Sequence, residues 1–137
     1  MTDHISGQEA LIYVMVSVAA ADRTINTDEI QRISSIVREL PAFRSYTDDW
    51  FSSAAQKCVR QLSKPQGVEK VLSLVRSVLN PRLYETAYVL AAEVAASDMS
   101  EHPAEEQYLD LLAETLGLDD LTTVALERAA EARHRPI

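Results

Sequence analysis

The chain has 137 residues, enough for one domain that buries roughly two thirds of its unfolded surface. With 47% hydrophobic and 25% charged residues, three glycines and five prolines, its composition is that of an ordered, helix-rich domain and argues against disorder or a β-rich fold. A net charge of −8, with no tight basic cluster, argues against the phosphate neutralisation that drives nucleic-acid binding.

Apolar residues recur at helical spacing in seven stretches. The first carries Leu11, Ile12, Met15, Val16 and Ala19, and the second Ile30, Ile33, Val37 and Leu40 before Pro41 ends it. Trp50, Phe51, Ala54, Cys58 and Leu62 mark a third, stopped by Lys64-Pro65-Gln66-Gly67, and Val68, Val71, Leu72, Val75 and Leu79 mark a fourth. Asn80-Pro81 reads as an N-cap and first helical residue ahead of Tyr84, Ala87, Tyr88, Ala91 and Val94. The sixth stretch runs through Leu109, Leu112, Ala113 and Leu116, and Gly117-Leu118 suggests a left-handed cap with its hydrophobic contact. Asp119 or Asp120 caps the last helix, which carries Leu121, Val124 and Ala125 before a polar, fraying tail. No stretch alternates with period two between turn residues, so the expected fold is all-α, a compact bundle of about seven helices.

The longest apolar run, Ala10 to Ala21, is twelve residues and falls short of the roughly twenty that cross a bilayer, so no membrane span is expected. The first residues lack a basic region leading into an apolar core and a cleavage site, which leaves a cytoplasmic location as the default expectation. Cys58, the single cysteine, reads as a small core hydrophobe, and Trp50, Phe51, Tyr84, Tyr88 and Tyr108 read as packing. Charge is unevenly distributed: Leu83 to Glu127 holds eleven acidic residues and no lysine or arginine, whereas Arg38 to Arg82 holds eight basic residues against four acidic ones.

A shift of 76 positions lays Tyr13–Leu40 on Val89–Leu116 without a gap. Val18 then falls on Val94, Asp22 on Asp98, Glu29 on Glu105 and Ile33 on Leu109. The expectation is a single domain, 1–137, with pseudo-twofold repeat halves at about 8–64 and 68–130. In both copies an Ala-rich helix ends at an aspartate, a short polar turn follows, and a glutamate opens the next helix seven residues later.

At these residues, Val18-Ala-Ala-Ala-Asp22 to Glu29 and Val94-Ala-Ala-Ser-Asp98 to Glu105, with Leu116-Gly-Leu118 closing the second copy, the chain resembles the TerB-like family. That family is named for a tellurite-resistance protein and occurs also at the N-terminus of some DnaJ-type co-chaperones. The likeness spans roughly residues 8 to 130, and the chain departs from the family pattern at Arg23 and Met99, where glycine is usual. The resemblance implies an all-α fold of about seven helices, a stress-response role with divalent-cation binding by surface carboxylates, and no catalytic activity.

The candidate metal ligands are Asp22, Glu29, Asp98 and Glu105, joined in the second copy by His102 and Glu106. Two carboxylates per copy would need carbonyls or waters to complete a Ca²⁺, Mg²⁺ or Mn²⁺ shell, while an imidazole beside carboxylates would suit Zn²⁺. The same residues also fit a structural role, because Asn26-x-x-Glu29 has the residue types of a helix-capping arrangement and first-turn carboxylates gain from the helix dipole. No phosphate-binding glycine loop or nucleophile elbow is present, and Glu131-x-x-His134 lacks the second copy a di-iron bundle needs. The function expected is therefore a non-enzymatic binding or adaptor module with a divalent cation as its possible ligand. The alternative is a protein docking domain without metal, meeting a protein partner or another copy of itself.

Overall fold

The computed structural model describes residues 5–21, 25–44, 46–97 and 103–137. These form seven α-helices and no strand among the described residues: α1 (Gly7–Ala19), α2 (Thr27–Arg38), α3 (Asp48–Leu62), α4 (Gly67–Val78), α5 (Tyr84–Ser97), α6 (Pro103–Leu116) and α7 (Asp120–Arg133). Single 3₁₀ turns at Pro41–Phe43 and Pro81–Leu83 follow α2 and precede α5.

α1 is the centre of the bundle. Ser6 Oγ accepts the Glu9 N–H and the Glu9 carboxylate accepts the Ser6 N–H, both at 3.1 Å, so reciprocal capping starts the helix. Every residue from Ala10 to Ala19 is buried, the signature of a helix apolar all round because it has neighbours all round. It packs against α3, α4 and α5, with further contacts to α2 and α6.

The surrounding helices bury single stripes. In α3 the stripe is Phe51, Ala54, Ala55 and Cys58, started by Thr47, whose hydroxyl accepts the Trp50 N–H. In α4 it is Val71, Leu72 and Val75, and in α2 Ile33 and Val37. Trp50 is half-buried, with its ring centroid 6.4 Å from Phe43 and 6.3 Å from Tyr46, so the aromatics pack as expected.

Two backbone positions hold the turns. Gly67 lies so close to the end of α3 that a Cβ there would stand 2.5 Å from the Leu62 carbonyl oxygen, so only glycine fits. Gly117 has φ 71°, and the Leu118 N–H reaches the Ala113 carbonyl at 3.0 Å, forming the left-handed cap expected for α6. Asn80 caps as expected, but what it caps is the 3₁₀ turn: its side chain accepts the Arg82 N–H before α5 begins at Tyr84.

α2 starts at Thr27 and α6 at Pro103, and α1 and α5 are the paired central helices of the two copies. α4 stands between the copies, packed on α1, α3 and α6.

α7 departs from the sequence pattern. Leu121 and Val124 are 84% and 52% exposed and Ala125 is exposed, while the helix buries Thr123 and Ala130 against α5. Its end is also anchored and not frayed, because Arg133 and His134 both reach the buried carboxylate of Glu93.

Candidate functional site

Of the six candidate ligands, Asp22, Asp98 and His102 lie outside the described residues. Glu29 and Glu105 occupy matching third positions of α2 and α6 and are 6% and 5% exposed. The Glu29 N–H donates to Asn26 Oδ1 at 2.9 Å, so the expected capping bond is formed. Glu106 is exposed on α6, on the side that looks toward α7. Among the described residues, no three His, Cys, Asp or Glu side chains gather in a metal-holding group.

Acidic residues of α6 and α7 instead act on one another electrostatically. Burial pushes the Glu127 carboxyl above its ordinary range, and Asp110, Glu131 and Glu106 add like-charge repulsion, partly offset by a hydrogen bond with Tyr88. Burial likewise raises the Tyr88 phenol, with Glu127 contributing. Cys58 lies in the core beside Ser17, where burial pushes its thiol up to about 12, so at neutral pH it holds no thiolate for nucleophilic chemistry.

Among the described residues, a cleft of about 750 Å³ lies between the start of α1, the two 3₁₀ turns and one side of α5. Its volume falls within the range of small-molecule sites. Leu11, Leu40, Pro41, Leu83, Val89 and Leu90 supply apolar walls, and Gln8 Nε2 donates to the Ala42 carbonyl at 2.8 Å, tying α1 to the first 3₁₀ turn. Thr86, Val89, Leu90 and Glu93 follow each other at helical spacing, so one side of α5 forms a wall of the cleft.

The charged lining is asymmetric. Arg44 and Arg82 are exposed guanidinium groups on the cleft. Glu93 is 6% exposed and neutralised by Arg133 Nε at 2.5 Å, with His134 Nε2 in hydrogen-bond range at 3.2 Å. With that carboxylate already paired, the cleft presents apolar surface and positive charge. Its lining is suited to holding an apolar group with an anionic end and offers no activated nucleophile.

Sequence reasoning did not single out Glu93, Arg44 or Arg82. Glu93 carried a signal: a lone carboxylate within Ala91-Ala92-Glu93-Val94-Ala95, in a helix with apolar residues on every side, has to find a cationic partner if it is buried. Where that partner lay was not legible, since it is forty residues away. Arg44 and Arg82 each sit beside a Pro-led turn that looked like a connector.

No helix among the described residues is long and apolar enough to cross a membrane. No curated protein and no solved structure matches the chain. One family model matches residues 2–130, nearly the whole of this helical bundle, and the chain accordingly belongs to the family described as protein of unknown function DUF533.

Proposed function

We propose that the chain is a non-enzymatic binding module that takes an apolar ligand with an anionic end into the cleft between α1 and α5. The observation that carries this reading is the pairing of aliphatic walls with Arg44 and Arg82, while Glu93 on the same lining is already neutralised by Arg133. Burial of the apolar part supplies affinity, and the two guanidiniums select the charge of the ligand and its orientation. The TerB-like resemblance supports placing such a module in a stress response, as an adaptor and not a catalyst.

Decanoate is a suitable probe, titrated into the full chain and followed by calorimetry and amide chemical shifts. Saturable binding centred on Leu83, Val89 and Leu90, weakened by Arg44→Gln with Arg82→Gln and absent for decylamine, is the expected result. No binding of decanoate, or equal binding of the amine, would overturn the assignment.

A second reading, divalent-cation binding through Asp22, Glu29, Asp98 and Glu105 with His102 and Glu106, is favoured by the matching burial of Glu29 and Glu105. Calorimetric titration of metal-stripped protein with Ca²⁺, Mg²⁺, Mn²⁺ and Zn²⁺ tests it. Near-stoichiometric binding that Asp98→Asn with Glu105→Gln abolishes supports the site, and unchanged affinity in that variant removes these two ligands from it.

A further inference from the structure

Glu93 belongs to two structures at once. It is the last residue of the α5 wall of the cleft, and it anchors the end of α7 by taking Arg133 Nε at 2.5 Å and His134 Nε2 at 3.2 Å on a single carboxylate oxygen, Oε1. Thr86, Val89, Leu90 and Glu93 climb about 10 Å along the helix axis. Arg82 lies just ahead of that wall, so an anionic end held there directs an apolar tail along α5 toward Glu93.

The anchor stands where a helix opens first. Arg133 is the last residue of α7 and His134 its C-cap, closed by a bond from the His134 N–H to the Glu131 carbonyl at 3.2 Å. Helix ends open locally at low cost, and unwinding beyond Ala130 takes both partners off Glu93 while Thr123 and Ala130 stay docked. Arg133 has a second acidic neighbour in Glu39, at the end of α2, and its side chain is 69% exposed, so once released it has both a carboxylate and water to turn to.

We propose that the end of α7 sets the charge preference of the cleft through Glu93, a regulation that rests on the cleft being the binding site inferred above. While the anchor holds, Arg133 neutralises the carboxylate and an apolar tail covers an ion pair. Once it is released, Glu93 is a bare carboxylate in the wall of an apolar cleft. A tail laid over it strips its water and supplies no counter-charge, which is the costly form of a buried ion. An apolar cation gains what the anion loses: its ammonium takes the place of Arg133 at Glu93, and its tail runs back over Leu90 and Val89 toward Leu83. Arg133 and His134 are thus positioning residues, acting on the ligand through Glu93 without touching it.

Calorimetric titration of decanoate and decylamine into three forms of the full chain tests the proposal: wild type, Arg133→Gln with His134→Gln, and that pair combined with Glu93→Gln. The double variant should lose decanoate affinity by at least about tenfold and bind decylamine, which wild type refuses. The triple variant should recover decanoate affinity to within about threefold of wild type and lose decylamine, because the anchor is still missing but the charge is gone. Unchanged decanoate affinity in the double variant overturns the proposal, and so does a triple variant as weak as the double, the result of a merely structural anchor. A wild type that binds no decanoate removes the anion reading of the cleft, and decylamine then decides alone. Binding by the double variant that Glu93→Gln abolishes supports regulation by the end of α7, and no binding overturns it.

Discussion

The two halves hold their third helices by different physics. Ser17 of α1 and Glu93 of α5 are equivalent under the 76-residue shift, and each is buried on its central helix facing the third helix of its own half. Ser17 donates to the Tyr13 carbonyl at 2.6 Å and lies 3.8 Å from Cys58 Sγ of α3, in a neutral contact flanked by buried Phe51, Ala54 and Ala55. Glu93 takes Arg133 and His134 at the end of α7, a helix that buries only Thr123 and Ala130. A repeated scaffold thus supports one apolar clamp and one ionic latch. The latched helix needs less apolar surface inward, which is why its apolar residues are free to face outward.

Substitutions that remove each contact in turn would break or sharpen this contrast. The largest effect is expected for Phe51→Ala, which removes the largest buried side chain of α3 and should cost about 3–5 kcal/mol, read as a lower denaturation midpoint. Gly67→Ala comes next at about 1–3 kcal/mol, because the added methyl must push the α3–α4 joint away from the Leu62 carbonyl. Glu93→Gln should cost about 1–2 kcal/mol, the worth of hydrogen bonds to a charged group reduced by the solvent around Arg133. Hydrogen exchange separates this change from the first two: Glu93→Gln should speed exchange in α7 while leaving α3 unchanged. Equal loss of protection in both helices would mean that α7 is held as α3 is, and would erase the distinction.

The smallest effects concern pH, and two carboxylates of α7 oppose each other. Asp119 caps the helix, and the hydrogen bonds from Thr122 hold its carboxyl below the ordinary range, so its contribution is present above the unfolded pKa and lost as pH falls through the folded one. Glu127 is raised by burial and by Asp110, Glu131 and Glu106, so it favours the folded state in acid and loses that contribution as pH rises through its raised value. Glu127→Gln should therefore give a small gain in melting temperature at neutral pH and flatten the acid limb, whereas Asp119→Ala should lower stability at neutral pH and lose the difference in acid. Melting curves from acid to neutral pH would show a break in the comparison if both variants moved in the same direction.

Much of the fold was legible because it is local. Helical spacing located all seven helices, and the caps at Asn26, Asn80, Gly117 and Asp119 depend on residues within one turn of each other. The repeat was legible for the same reason, since each Asp-to-Glu turn is read within eight residues. What the sequence determined by itself was thus the all-α class, the seven helices and their punctuation. Only the tertiary structure decided which side of α7 is buried, that Glu93 is paired with the chain end, and that two proline-led turns enclose a cleft under Arg44 and Arg82. Leu121, Val124 and Ala125 form as good an amphipathic stripe as any core helix, and spacing alone cannot tell an inward stripe from an outward one. That choice rests on the competing interactions of the opposite face, where Arg133 and His134 cross to a carboxylate forty residues earlier in the chain.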